Sequence, residues 1–324
     1  MTPIIPAPKA VLASVLMIAA LGASAAAADD EQLTVVTTTG MIADTAARIG
    51  GDLVDVRGLM GAGIDPHAYR QTRSDIAALT QADVVLWHGL NLEAQMRPFM
   101  EQLAERSVVV AVGEAVPEDG LIADPEYDGQ PDPHVWMDPE LWGHVVDAIE
   151  GVLVAEDPDN ASVYEANAEA FRAELSELAA YSEETLQSVP ENSRVLVTAH
   201  DAFAYFGRAY DFEVLGIQGI STQSEAGLQR IAELVDTLVD RDITAVFVES
   251  SVSDRNVRAL IEGAAAEGHT VKIGGELFSD AMGPEGTYEG TFLGMLDHNV
   301  TGISSALGGD APSRGRLGKL GGEG

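Results

Sequence analysis

Two spacings of apolar residues alternate along most of this chain. "LTVVTTT" (33–39) is rich in β-branched residues and predicts a strand, whereas "MIADTAARIG" (41–50) carries a helical period that stops at Gly50 and Gly51. "VDVRGLM" (54–60), "DVVLWHG" (83–89) and "SVVVAVG" (107–113) predict further strands. Helices are predicted between them at "RSDIAALTQA" (73–82) and "LEAQMRPFMEQLAE" (92–105), the latter kinked at Pro98. Strands and helices in this alternation imply a parallel sheet covered by helices.

A polar stretch rich in proline and glycine, 117–133, breaks the alternation. Asp138 and Pro139 then supply an N-cap followed by proline at the first helical position, opening a helix to about Val154. From Asp159 to Gln187 there is neither glycine nor proline. As a helix that segment is a rod of roughly 40 Å, read as a rigid connector that ends before Pro190. The second half restarts with strands at 194–200, 212–219, 244–250 and 270–275 and helices at 201–210, 225–241 and 254–268. A last helix runs from about Thr291 to Leu307. The expected fold class is therefore α/β: two lobes, each with a parallel-rich sheet flanked by helices, joined by one long rigid helix. The expected division is an N-terminal lobe at 29–158, a linker helix at 159–189, a C-terminal lobe at 190–307 and a Gly-rich flexible tail at 308–324. Ligands of such folds sit where strand C-termini face a cleft.

The first 28 residues read differently. A single lysine precedes the apolar run "VLASVLMIAALGASAAAA", and Asp29, Asp30 and Glu31 follow. This is the pattern of a secretory signal peptide cut near Ala28. No later segment approaches about 20 uninterrupted apolar residues. The expected location is the periplasm.

Charge and cysteine content narrow the partners. Acidic residues outnumber basic ones 52 to 18, for a formal charge of −34. Such a chain lacks the basic footprint that nucleic acid requires, and an anionic membrane surface would repel it. Its commonest cause is solubility or a salty medium, although a field of this sign also attracts cations. There is no cysteine, which removes thiolate metal sites, a catalytic cysteine and a lipid-modified N-terminal cysteine. A free, monomeric protein is expected.

One tripeptide then recurs. "DPHAYR" (65–70) and "DPHVWMDP" (132–139) both hold a histidine directly after proline, in a frame with little backbone freedom. Of the seven histidines, His144 and His298 fall within predicted helices, His269 lies in a turn, and His88 ends an apolar strand. These four read as structural. His67, His134 and His200 instead stand at or after the C-terminal ends of elements, where loops of an α/β fold converge. A carboxylate should complete the set; Asp280 in "GGELFSDAMG" (274–283) is the best candidate, with Glu276 and Glu249 as rivals or as groups that orient a ligating imidazole. Three imidazoles and a carboxylate suit a divalent transition metal, whereas calcium or magnesium would want mostly oxygen. The chain carries no His-Glu-x-x-His, no P-loop, no G-x-S-x-G and no G-x-G-x-x-G after a strand.

Together, "DPHAYR", "DPHVWMDP", "TAHDAFAYFGRAYDFEVLGIQGISTQSEAG", "AVFVESSVSDRNV" and "GGELFSDAMG" resemble the TroA-like family of metal-binding solute-binding proteins, which serve ABC importers for manganese, zinc or iron. The likeness runs from about residue 33 to 307, with its motifs in order. It implies two α/β lobes on a single long helix, small lobe movements on metal binding, and a ligand set of His67, His134, His200 and Asp280. Two departures concern the metal. Zinc-specialised relatives often have a His-rich loop ahead of the second ligand, where this chain has Asp124, Glu126 and Asp128. Manganese-specialised relatives often have glutamate at the position of His200. A closed His₃Asp site favours zinc, and a bidentate Asp280 would admit manganese.

The resulting expectation is a periplasmic solute-binding protein that captures one Zn2+ or Mn2+ per chain in the interlobe cleft and delivers it to an ABC transporter permease. The competing reading is an exported metal-dependent hydrolase, with an open coordination position and Glu249 or Glu276 as general base. A third is a structural role in which the metal only stabilises the fold.

Overall fold

Strand β1 (Leu33–Thr37) has parallel neighbours on both sides, β2 (Val54–Gly58) and β3 (Val84–Trp87), and β4 (Val108–Ala111) completes the order β2-β1-β3-β4. This computed structural model describes residues 1–3, 32–123, 129–224 and 226–322. The rest of the expected leader with its cut near Ala28, and Asp124, Glu126 and Asp128, lie outside the described residues. Both faces of the sheet are covered. Val35, Val84 and Leu86 join one core with Met41, Ile42 and Ile49 of α1 (Gly40–Gly50). Val36 and Val85 join another with Leu79 of α2 (Arg73–Gln81) and Met100 and Leu103 of α3 (Arg97–Ala104). Burial on both faces is why these strands read as unbroken apolar runs. Thr72 caps α2 through a reciprocal box with Asp75, which fixes the chain leaving the His67 region.

The helix expected over 92–105 is shorter. Leu90 and Asn91 adopt positive φ, 50° and 65°, and turns occupy the segment until α3 begins at Arg97. Pro98 falls in the first turn of that helix, where a missing N–H costs nothing, so it starts a helix instead of kinking one. The turns serve a buried carboxylate. Glu93 is fully enclosed and accepts the Thr38 hydroxyl (2.6 Å) and the backbone N–H groups of His88 (2.9 Å) and Gly89 (3.2 Å). Burial still raises its pKa.

Helix α4 (Pro139–Glu156) opens as expected, with Asp138 accepting from the N–H of Glu140. Helix α5 (Ala161–Gln187) has the expected length, but it is no free-standing rod. Tyr164, Ala168, Phe171, Leu175 and Leu178 bury a stripe at helical spacing in the main core, against α1, α4 and α9 (Phe292–Ala306). Asn167 also donates to the carbonyl of Ile49, and Arg48 pairs with Glu174.

The second half holds two parallel pairs. β5 (Val195–Thr198) pairs with β6 (Glu213–Gly216), and β7 (Ala245–Glu249) with β8 (Lys272–Leu277), with β5 lying close to β7. A single sheet was expected there. α6 (Ala204–Tyr210), α7 (Leu228–Asp240) and α8 (Arg255–Ala266) lie between the strands, and Leu234, Leu238, Val257 and Leu260 form a separate core with Val195, Val197 and Val246. The strand ends aim at one place: β5 stops two residues before His200, β7 ends on Glu249, and β8 stops three residues before Asp280.

Residues 308–322, expected to be flexible, instead fold back on α9 and α5. Buried Asp297 draws them in: its two oxygens accept the N–H of Arg316, both at 3.0 Å, while the Arg316 guanidinium pairs with Glu177. Leu320 is buried and Ser188 accepts the N–H of Asp310. Deleting residues 308–324 would leave Asp297 enclosed without these donors, and should lower stability by roughly 2–4 kcal/mol in urea unfolding.

Candidate metal centre

The repeated Asp-Pro-His is the same device twice. Asp65 Oδ1 accepts the N–H of His67 at 2.8 Å, and Asp132 Oδ1 accepts the N–H of His134 at 2.9 Å. In each, aspartate closes a tight turn over the proline and aims the histidine two residues on. The copies differ in one respect. Asp132 Oδ1 also accepts from Nδ1 of His134 at 2.6 Å, so it orients the ring as well as the backbone.

His200 receives equivalent treatment from another element. Glu249, at the end of β7, accepts the N–H of His200 with Oε1 (2.9 Å) and its Nδ1–H with Oε2 (2.5 Å). A proton held on Nδ1 leaves Nε2 as the lone pair, so His134 and His200 both present Nε2 to the space between them. Asp280 is fixed from behind. Asn299 of α9 accepts the N–H of Phe278 (2.9 Å) and donates to its carbonyl (2.7 Å), and the Trp136 indole donates to the carbonyl of Ser279 (2.8 Å).

The four side chains singled out in the sequence meet. His67, His134, His200 and Asp280 are all buried, and one ligand atom from each lies within 4.8 Å of all the others. His67 Nε2 is 3.3 Å from His134 Nε2, His134 Nε2 is 3.3 Å from Asp280 Oδ1, and His200 Nε2 is 3.3 Å from Asp280 Oδ2. A tetrahedron with ligand bonds of about 2.0–2.1 Å has edges of about 3.3–3.4 Å. Both oxygens of Asp280 and Nε2 of His200 are sealed from solvent and, apart from facing the neighbouring donors across these 3.3 Å gaps, have no hydrogen-bond partner. Such groups are costly unless something satisfies them, and one cation at their centre would.

Electrostatics point the same way. Burial brings His67 down to about 3, so that ring is neutral. Burial opposes charge on His134 too, but Asp132 and Asp280 outweigh it and push that pKa up to about 9. Glu249 and Asp280 likewise overcome burial at His200 and raise it. At Asp280 burial is overcome by His200, His134 and His67, which hold the carboxyl well below its usual range. The field that favours imidazolium here also favours a divalent ion. With Glu249→Gln the second oxygen becomes a donor group and His200 loses its fixed tautomer. Zinc affinity should fall by about 10–100-fold, measured by chelator competition, with the fold intact.

The rival carboxylates separate clearly. Glu249 is the orienting group just described, whereas Glu276 is exposed in β8, and its carbonyl accepts from His298 Nε2 at 2.9 Å. Of the histidines read as structural, His269 caps a turn through the Ile243 carbonyl, and His88 braces the second Asp-Pro-His turn by donating to the Pro133 carbonyl at 2.7 Å. The bracing by His88, Trp136 and Asn299 escapes sequence reasoning. Tyr205 is a further case, donating to the Asp132 carbonyl at 2.7 Å. The placement of Trp136 two residues after His134 is a signal that could have found one of them.

Fold and site define a class: an α/β protein with a buried cage of three imidazoles and a carboxylate, compatible with one metal ion. The model of the family described as zinc-uptake complex component A, periplasmic (ZnuA), matches residues 35–306, and the chain belongs to that family. It is 48% identical over 271 residues to the manganese-binding lipoprotein MntA of Bacillus subtilis, covering 83% of this chain and 88% of that one. It is 46% identical over 270 residues to the zinc-binding protein TroA of Treponema pallidum, covering 83% and 87%. The solved structure of periplasmic zinc binding protein TroA from Treponema pallidum superposes with a TM-score of 0.83 at 45% identity, covering 85% of this chain and 99% of that one.

Proposed function

We propose that the protein is a periplasmic solute-binding protein that captures one Zn2+ or Mn2+ and delivers it to the membrane permease of an ABC importer. His67, His134, His200 and Asp280 are its ligands. The observation that carries this reading is the set of four converging donors, of which the Asp280 oxygens and His200 Nε2 are buried and unsatisfied. Two ligands come from the half at 29–158 and two from the half at 190–307, so separating those halves along the 159–189 helix would lower the ligand count and release the ion. Three of the donor separations are 3.3 Å, the edge of a tetrahedral zinc site, and all four donors lie within 4.8 Å of one another. Asp280 turns a different oxygen to each of two imidazoles, which also admits manganese at higher coordination number.

The protein acts as a monomer, free in the periplasm. No helix among the described residues is long and apolar enough to cross a membrane, and the chain has no cysteine for a lipid. A metal-dependent hydrolase is the weaker reading. Of the two bases it would use, Glu249 spends both oxygens on His200 and Glu276 is exposed. Calorimetric titration of metal-stripped protein should give one tight, reversible site per chain for zinc. Weak binding at several sites would remove the proposal.

A further inference from the structure

Several side-chain bonds join the halves that supply the ligands, among them Tyr205 on the Asp132 carbonyl, Arg208 on the Gly120 carbonyl and Asp44 on the N–H of Phe292. Two links touch the ligand loops on the His67 and Asp280 sides, and they differ in burial. One is the Trp136 indole on the carbonyl of Ser279, sealed in the core between the His134 turn and the Asp280 loop. The other lies at the rim. There the Thr222 hydroxyl donates to Asp65 Oδ2 at 2.6 Å, and Gln223 Nε2 donates to the carbonyl of His67 at 2.7 Å. Gln95 steadies Gln223 with a longer bond of 3.3 Å.

The rim link has a soft side and a firm side. On the soft side, residues 61–64 ahead of the His67 turn are exposed, Ile64 among them at 40%. On the firm side, the loop of Thr222 continues directly from the strand ends that carry His200. The N–H of Ile217 reaches the Thr198 carbonyl and that of Gln218 the Ala199 carbonyl, both at 3.0 Å. Gln218 then folds the loop by donating to the Ser224 carbonyl at 2.9 Å. Thr222 and Gln223 are thus held on the His200 side and reach across to the least anchored ligand turn.

We propose that Thr222 and Gln223 act as a latch that ties the His67 turn to the His200 side and sets how long a captured cation is retained. This rests on the receptor reading above and deepens it. Opening the rim must break the Asp65–Thr222 and His67–Gln223 bonds together with the bond from His67 to the ion, while the buried Trp136–Ser279 link serves as the pivot. Both residues are positioning residues, since neither offers an atom to the ion. Because the latch bonds are made in the arrangement that brings the four donors together, losing them should speed escape from the closed cage more than it changes entry.

Stopped-flow transfer of zinc from loaded full-length protein to excess chelator tests this. A hydrogen bond to a charged or buried acceptor carries enough energy that Thr222→Val or Gln223→Ala should speed zinc dissociation by about tenfold. Association should stay within about twofold of the wild-type value, and circular dichroism should show the fold intact. Thr222→Ser, which keeps the hydroxyl, should restore slow release. Dissociation in both loss variants within about twofold of wild type overturns the latch, as does an equal change in association, while wild-type zinc binding leaves the receptor reading standing. If wild type takes up no zinc, both fall.

Discussion

Asp280→Ala should emerge from gel filtration in metal-free buffer without zinc, where the wild-type protein retains about one ion per chain. The aspartate supplies the only negative charge among the four donors, and its two oxygens each stand 3.3 Å from a different imidazole. Alanine leaves three imidazoles around a hole. Altering a group that merely orients a ligand costs about 10–100-fold in affinity, so loss of the charged ligand itself should exceed about 100-fold. The fold should survive, because Asn299 and Trp136 hold the loop through the backbone of Phe278 and Ser279, which the substitution leaves in place. Elemental analysis together with circular dichroism reads both outcomes. Zinc retained by a folded Asp280→Ala protein at wild-type stoichiometry would rule out this ligand set.

Zinc should also raise the melting temperature of the wild-type protein by roughly 6–7 °C at about a thousand times the dissociation constant. Binding to the folded state alone contributes about 4 kcal/mol at that excess, and about 1.5–1.7 °C accompanies each kcal/mol in a chain of this length. The stripped protein should still melt cooperatively. Its apolar cores run through the sheets and along α5 without including any of the four ligands. A metal that merely held the fold together would behave otherwise, and stripping it would unfold the chain. Scanning calorimetry with and without zinc separates these cases. Asp280→Ala should melt like stripped wild type under both conditions.

How much of this was legible in the sequence depends on the distance over which each residue acts. The Asp-Pro-His turns are local: aspartate, proline and histidine act within three positions, so the frame could be read directly. His200 and Asp280 could be nominated from strand ends, because an α/β sheet delivers all those ends to one side. Glu249 stood as a rival ligand, and only its two bonds to His200, 49 positions away, show it to be the group that orients the ring. Trp136 reaches Ser279 across 143 positions and Thr222 reaches Asp65 across 157, with no periodicity to announce either. Helix α5 shows the opposite failing. Its length was plain, but its stripe from Tyr164 to Leu178 belongs to the main core, so a segment read as a connector proves part of what it connects. Of the helix expected over 92–105, Arg97–Ala104 forms, but over 92–96 the chain is in turns that, with Leu90 and Asn91, enclose Glu93. A buried carboxylate leaves no mark on an apolar pattern.

The positions 67, 134, 200 and 280 are spread along the chain at intervals of 67, 66 and 80 residues (134 − 67, 200 − 134, 280 − 200). No short stretch holds two of them. On the proposed ligand set, a nascent polypeptide lacks the full cage until Asp280 has been made, so tight capture waits for the folded molecule.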